Sequence, residues 1–500
     1  MKRTWLEACI LLLVLVPDDV LSIHDVLVAT TTGAIRGYAR KVHEGKIVLS
    51  FTGIPYAKPP IGDLRFQKPV PVDPWSGFVN ATTLPNSCFQ EPSNYFDGFS
   101  GEEMWNPNTP LSEDCLYLNI WVPEQAWGSE REKLAVMVWI HGGGYVSGTS
   151  TLDVYDGAML AHSGNVIVAS LNYRLGAFGF LCLGVPVAAC NQGLWDQALA
   201  LKWIQDNIEA FGGDASRMTL FGESAGGGIV SALLLSPATR HFFRRGILQS
   251  GSINTPWSYK TFDDQRKISV DLMKSVFGTY FLLYYFLNIM DKDEPTLISR
   301  DLFTSLISTE IFAGMNSMEK EAIILQYTNW DDVENLSGNQ KMLADIIGDY
   351  FFLCPLNFFA EKISLRGAKV YYYYFTWDPP NFAFTSFQRS SSNPWGQWMG
   401  VMHGDEIEYV FGTPVISSWN HSEIELSQRI MHHFSSFAST GNPAKNESEW
   451  PLYTATEQKY YILNAAEVGI GNGPRACQCA FWNKIMHQYR TDGNNNELLV

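Results

Sequence analysis

Residues 218–228 read M-T-L-F-G-E-S-A-G-G-G, an apolar strand-like run that meets a serine and then a cluster of small residues. Few short stretches constrain a chain more. Glycines two residues before and two residues after Ser224 permit a strand-to-helix turn too tight for Cβ atoms, which lifts the serine hydroxyl clear of the backbone. The helix starting behind it offers unpaired N–H groups, so the Ala225 N–H would face an oxyanion developing on a bound carbonyl. The five-residue pattern is common by chance. With a strand before it and a helix after it, a merely structural glycine turn is the weaker reading.

The flanking sequence predicts an alternation of strands and helices. L-A-V-M-V-W-I at 134–140 reads as a strand ending in H-G-G-G, and V-I-V-A-S-L-N at 166–172 as another. Apolar residues then recur at helical spacing from 193 to 210, before the strand and turn at Ser224 and a further strand, R-G-I-L-Q-S-G. Such alternation implies an α/β fold, a large mostly parallel sheet covered by helices on both faces, here one domain over 23–500. His141-Gly142-Gly143-Gly144, following a strand, matches the other half of an oxyanion hole, because glycines let backbone amides approach a substrate oxygen unobstructed.

A serine nucleophile needs a base. Of ten histidines, His403 stands in W-M-G-V-M-H-G-D-E, a glycine-flanked loop in the chain order serine, acid, histidine. His432 and His433 fall in a helical stretch, His487 is near the C-terminus, and His24, His43 and His162 precede the serine.

A net charge of −16 argues against a nucleic-acid partner and is compatible with steering cations toward a cleft. The start, M-K-R-T-W-L-E-A-C-I-L-L-L-V-L-V-P, reads as a secretory signal over 1–22, while the apolar run 281–290 is too short to span a membrane. A secreted, extracellular chain is expected, with nothing in its acidic, Asn-rich C-terminal end to suggest a lipid anchor. Without Cys9, seven cysteines remain, so one is unpaired or bonds another chain, and Cys182–Cys190 would close a short local loop. Asn80, Asn335, Asn420 and Asn446 lie in N-x-S/T sequons. Sixteen tryptophans could line a cleft or fill a core.

F-G-E-S-A-G-G, S-E-D-C-L-Y-L-N-I-W, N-Y-R-L-G-A-F-G-F, M-H-G-D-E-I-E-Y-V-F-G and M-W-N-P-N at 104–108 together resemble the cholinesterase branch of the type-B carboxylesterases, over nearly the whole chain. The resemblance implies an α/β-hydrolase fold with Ser224 as nucleophile, His403 as base, and Gly143, Gly144 and Ala225 as the oxyanion hole. It implies hydrolysis of a small cationic ester through an acyl-serine, with no metal or organic cofactor. Trp105 would be the aromatic platform for a quaternary ammonium, which can be held by cation–π attraction but accepts no hydrogen bond. Tyr280, Glu223 and Trp395 would join it, Trp257 would wall the acyl pocket, and Cys88–Cys115 and Cys354–Cys479 would be disulfides. A helix near Phe481–Tyr489 would support a homodimer. A general carboxylesterase and a non-catalytic adhesion or ligand-binding protein on the same fold are the rival readings.

The chain departs from that family in one decisive place. Where the family has a glutamate before the glycine matching Gly278, this chain has Phe277, and the interval from about 258 to 278 is several tens of residues shorter than the family's. The usual acid, its strand and part of the acyl pocket are missing. Glu294, in K-D-E-P, is a poor substitute because Pro295 replaces the glycine, and Asp345 and Asp349 sit in a segment resembling a structural one. Val146 and Ser93 stand where a tyrosine and an aspartate are usual at the mouth of the cleft.

Overall fold

The computed structural model describes residues 25–94, 96, 98–128, 132–185, 188–274, 297–377, 400–445, 448–466, 468–486 and 488. Nine strands form the main sheet: β1 (Asp25–Thr30), β2 (Gly33–Lys41), β3 (Ile47–Pro55), β4 (Phe78–Asn80), β5 (Tyr117–Pro123), β6 (Leu134–Ile140), β7 (Ile167–Leu171), β8 (Gly213–Glu223) and β9 (Arg245–Gln249). Their order is β1–β2–β3–β5–β7–β6–β8–β9, with β4 beside β2. The sheet is mixed. Pairings from β1 through β5 to β7 are antiparallel, whereas β7, β6, β8 and β9 run parallel. The parallel half is apolar because it is covered on both faces, which explains the unbroken hydrophobic reading of β6, buried from Ala135 to Ile140.

One face carries α2 (Gln192–Asn207) and α3 (Ala225–Leu235), whose Leu201, Ile204, Ile229 and Val230 join a core with Val136 and Leu220. The opposite face carries α1 (Ala158–Gly164), α6 (Ile407–Phe411) and the long α7 (His421–Thr440), which meet Trp139 and Phe221. Trp139 is fully buried there, its ring about evenly placed against Tyr155, Phe221 and Phe411 at centroid distances of 5.1, 5.0 and 5.1 Å. Part of the tryptophan surplus is core: Trp121, Trp139, Trp203, Trp377, Trp450 and Trp482 are buried.

A third core lies around α4 (Leu336–Gly348) and α5 (Cys354–Leu365) and includes the Cys354–Cys479 disulfide with Phe481, Trp482 and Met486. These three residues come from the stretch expected to support a homodimer, in which Ile485 is exposed. Asp345 and Asp349 both engage Arg475, and Asp349 also accepts from Tyr327 at 2.8 Å. Leu336–Leu365 is the one described helical run long and apolar enough to cross a membrane, but it contributes to this core and carries that ion-pair network.

A separate three-stranded sheet follows: β10 (Tyr373–Phe375), β11 (Lys459–Leu463) and β12 (Gly469–Asn472). Ile247 of β9 and Tyr461 and Leu463 of β11 belong to one core, yet among the described residues neither the outer edge of β9 nor that of β10 is paired. Three disulfides close the chain, Cys88–Cys115, Cys182–Cys190 and Cys354–Cys479, and Cys477 is a free, exposed thiol.

Candidate active site

Ser224 occupies the single residue between the end of β8 and the start of α3. Its φ of 56° and ψ of −121° place it where an L-residue is strained, at a cost of roughly 1–3 kcal/mol. The surroundings impose it. Ser224 N donates to Gln249 O at 2.8 Å, and Gly228 N donates to Ser224 O at 3.0 Å. A Cβ on Gly226 would sit 2.0 Å from Ile140 O, and one on Gly222 2.6 Å from the same atom. Only glycine lets the helix start cross the end of β6 this closely.

The 141–144 loop lies directly against this turn: a Cβ on Gly142 would meet Glu223 O at 2.8 Å and the Ser224 Cβ at 3.1 Å. Gly143 and Gly144 have φ of +102° and +59°, both in the region that glycine favours. Buried His141 stacks on Tyr173 at 4.5 Å, and Tyr173 donates to its carbonyl at 2.9 Å. Burial pulls its imidazole down to about 4, so it is neutral and anchors the loop.

His403 Nε2 lies 3.0 Å from Glu223 Oε1. The separation is that of a close ion pair, although the ring N–H does not point along it and Oε1 has no aligned donor. The ring keeps 40% of its side-chain surface accessible, Glu223 only 7%. Loss of water is the largest influence and lowers the imidazole pKa, but the charge and contact of Glu223, with Glu406 and Asp405 behind it, outweigh that loss and raise it. Among the described residues no hydrogen bond joins Ser224 Oγ to His403. Buried Glu406 accepts from Gln249 Nε2 at 3.2 Å, and burial, reinforced by the Glu223 charge, lifts its carboxyl to about 7.

Trp105 is half-buried and leans on Tyr155 at 6.4 Å. A Cβ on Gly404 would lie 3.9 Å from both the Trp105 ring tip and Glu223 Oε1, so the tryptophan, the carboxylate and the His403 loop converge there. The Cys88–Cys115 bridge closes the Trp105 loop, and Ser93 braces it, its hydroxyl on buried Glu102 and its backbone paired with Asn106. Trp257 donates from Nε1 to Phe351 O at 2.9 Å, between the rings of Tyr145 and Phe352.

The family profile described as the Carboxylesterase family matches residues 24–277 and 265–482. The chain belongs to that family. An acetylcholinesterase of Leptinotarsa decemlineata is 45% identical over 563 aligned positions, covering 94% of this chain and 87% of the relative. One of Bungarus fasciatus is 39% identical over 551 positions, covering 94% and 88%. This is a cholinesterase-like type-B carboxylesterase with the α/β-hydrolase fold. Each alignment is longer than the whole chain, so several tens of aligned positions have no residue here, and the two profile matches meet at 265–277.

Within this carboxylesterase, Tyr280, Trp395, Glu294, Phe277 and Gly278 lie outside the described residues, as do residues 1–22, expected to be a secretory signal, the 281–290 run, His24, His487 and Asn446. Exposed Val146 leaves the mouth of the site without a ring at that position. His433 is buried, with Nδ1 2.7 Å from Pro443 O, and is a packing residue. Sequence reasoning passed over three residues at the site. Phe352 leans on His403 with ring centroids 4.5 Å apart, and its only sequence signal is its place two residues before Cys354. Glu406 follows His403 in the same motif, and Gln249 ends the strand beside the nucleophile turn.

Proposed function

We propose that this carboxylesterase hydrolyses choline esters of the acetylcholine type, from the extracellular side of the cell. Ser224 attacks the ester carbonyl, and His403 takes the hydroxyl proton. The oxyanion is held by the amides of Gly143, Gly144 and Ala225, choline leaves, and water attacks the acyl-serine with the same base. Trp105 receives the ammonium, with Glu223 adding negative charge. The observation that carries this reading is the strained Ser224 turn, with the glycine loop laid against it and the Trp105 ring and His403 loop meeting at Glu223. The relatives are named acetylcholinesterases, and three disulfides suit an oxidising compartment.

Turnover is lower than in a carboxylesterase with a complete triad. A segment holding the usual acid and a strand between β9 and β10 is missing near 258–278. Support comes from the unpaired edges of β9 and β10 over one shared core, and from the aligned positions that this chain lacks. A binding protein is the second reading, favoured by His403 leaning on Glu223 with no hydrogen bond to Ser224 Oγ. Organophosphate labelling decides between them. Adduct at Ser224 supports the hydrolase, and a folded chain that takes no label supports the binder.

A further inference from the structure

Glu223 is the residue immediately before the nucleophile, and its carboxylate is buried while its charged neighbour is a histidine from a loop 180 residues away in sequence. Among the described residues, the groups facing that histidine are Glu223 from the end of β8, Glu406 and Asp405 from its own segment, and the Phe352 ring from the run before α5. Asp405 is turned onto the backbone, accepting from Met402 N at 2.7 Å, and Glu406 is occupied by Gln249. Glu223 is the carboxylate that reaches the imidazole.

Resting on the hydrolase reading, we propose that Glu223 has taken over the work of the missing acid, pairing with His403 Nε2 and leaving Nδ1 as the nitrogen that serves Ser224. In the acylation step the Ser224 O–H bond breaks as a proton passes to Nδ1, and Oγ forms a bond to the carbonyl carbon. The carbonyl π pair moves onto oxygen. The imidazolium so formed carries its second N–H at Nε2, beside the Glu223 carboxylate, which offsets its charge and fixes the tautomer in the way an acid does. Collapse then expels the alkoxide leaving group, which takes the Nδ1 proton. Glu223 acts through His403 and is a positioning residue. Because the Nε2 contact is close but not aligned, the support is chiefly electrostatic and weaker than that of a properly oriented acid.

The test compares the full-length protein with Glu223→Gln and Glu223→Asp, each first shown to elute and fold like the parent. His403 is titrated by NMR of histidine-labelled protein, assigned with His403→Ala, and turnover is measured on a thiocholine ester and on an uncharged thioester. The proposal expects Glu223→Gln to lower the His403 pKa and to slow both esters, in kcat, by about 10²–10⁴-fold, with Glu223→Asp partly restoring both. An unmoved His403 pKa overturns it. So does a loss confined to the cationic ester, which leaves Glu223 only a role in attracting choline. A lowered pKa in a protein inert to both esters and to organophosphate supports the pairing and overturns the hydrolytic reading alone.

Discussion

At the scale of the residue, charge and burial around Ser224 set the testable chemistry. Trp105 should distinguish substrates by charge: Trp105→Ala should weaken a choline ester by ~0.5–2 kcal/mol, roughly 2- to 30-fold in kcat/KM, with little effect on a neutral ester of equal size. Equal losses on the two esters would remove the cation–π assignment. Glu406 gives a pH signature. Its carboxyl is lifted from the ordinary 4.5 to about 7 in the folded protein, so the folded state holds a proton that the unfolded chain has released between those values. The Glu406 contribution to stability should therefore be fully present below about pH 4.5, fall as the pH rises toward about 7, and then level off. His403, whose pKa is also raised, adds a loss of the same sign at higher pH. Chemical denaturation of Glu406→Gln across this range should show the fall reduced; an unchanged profile would mean that Glu406 does not titrate there. The Ser224 turn and its glycines were legible because a backbone crossing depends on residues adjacent in sequence. The His403–Glu223 pair was not, because it depends on how a distant loop is seated by Phe352 and Gly404.

At the scale of the element, the glycine turn and the helix caps are the parts most exposed to single changes. Gly226→Ala puts a Cβ 2.0 Å from a β6 carbonyl, and the backbone of both must shift. It should abolish Ser224 labelling by organophosphate even where circular dichroism shows the chain still folded. Asn420 caps α7, accepting from Glu423 N at 3.0 Å, and Asn335 caps α4, accepting from Gly338 N at 2.8 Å. Asn420→Ala should cost about 1 kcal/mol by denaturation. Both asparagines are also sequon residues, so a mass shift on glycosidase treatment would show whether cap and glycan coexist at one side chain. The parallel strands β6, β8 and β9 were readable as apolar runs because both faces are covered. The antiparallel strands β1, β2, β3 and β5 were less so, since residues such as Arg36 and Arg40 on β2 are only part-buried and break the apolar signal.

For the whole molecule, two sheets share one core, as the proposed gap near 258–278 would leave them. Among the described residues the outer edges of β9 and β10 are unpaired, and such edges are templates for pairing with another chain. Secreted yield should be low and partly aggregated, and inserting a segment of the relatives' length between 258 and 278 should raise both soluble yield and turnover. A chain equally soluble and active without the insertion would contradict the proposed gap. The resemblance suggested that gap in the sequence, since Phe277 stands where the family has a glutamate, whereas the sharing of one core by two sheets is visible only in three dimensions. The burial of Phe481, Trp482 and Met486 in their own subunit is likewise a tertiary fact that helical spacing alone could not reveal.

The most direct test of the central claim is thiocholine-ester turnover by the secreted, non-aggregated protein beside its Ser224→Ala variant. The account predicts slow hydrolysis that the substitution abolishes. A folded protein whose turnover equals that of the variant would contradict it.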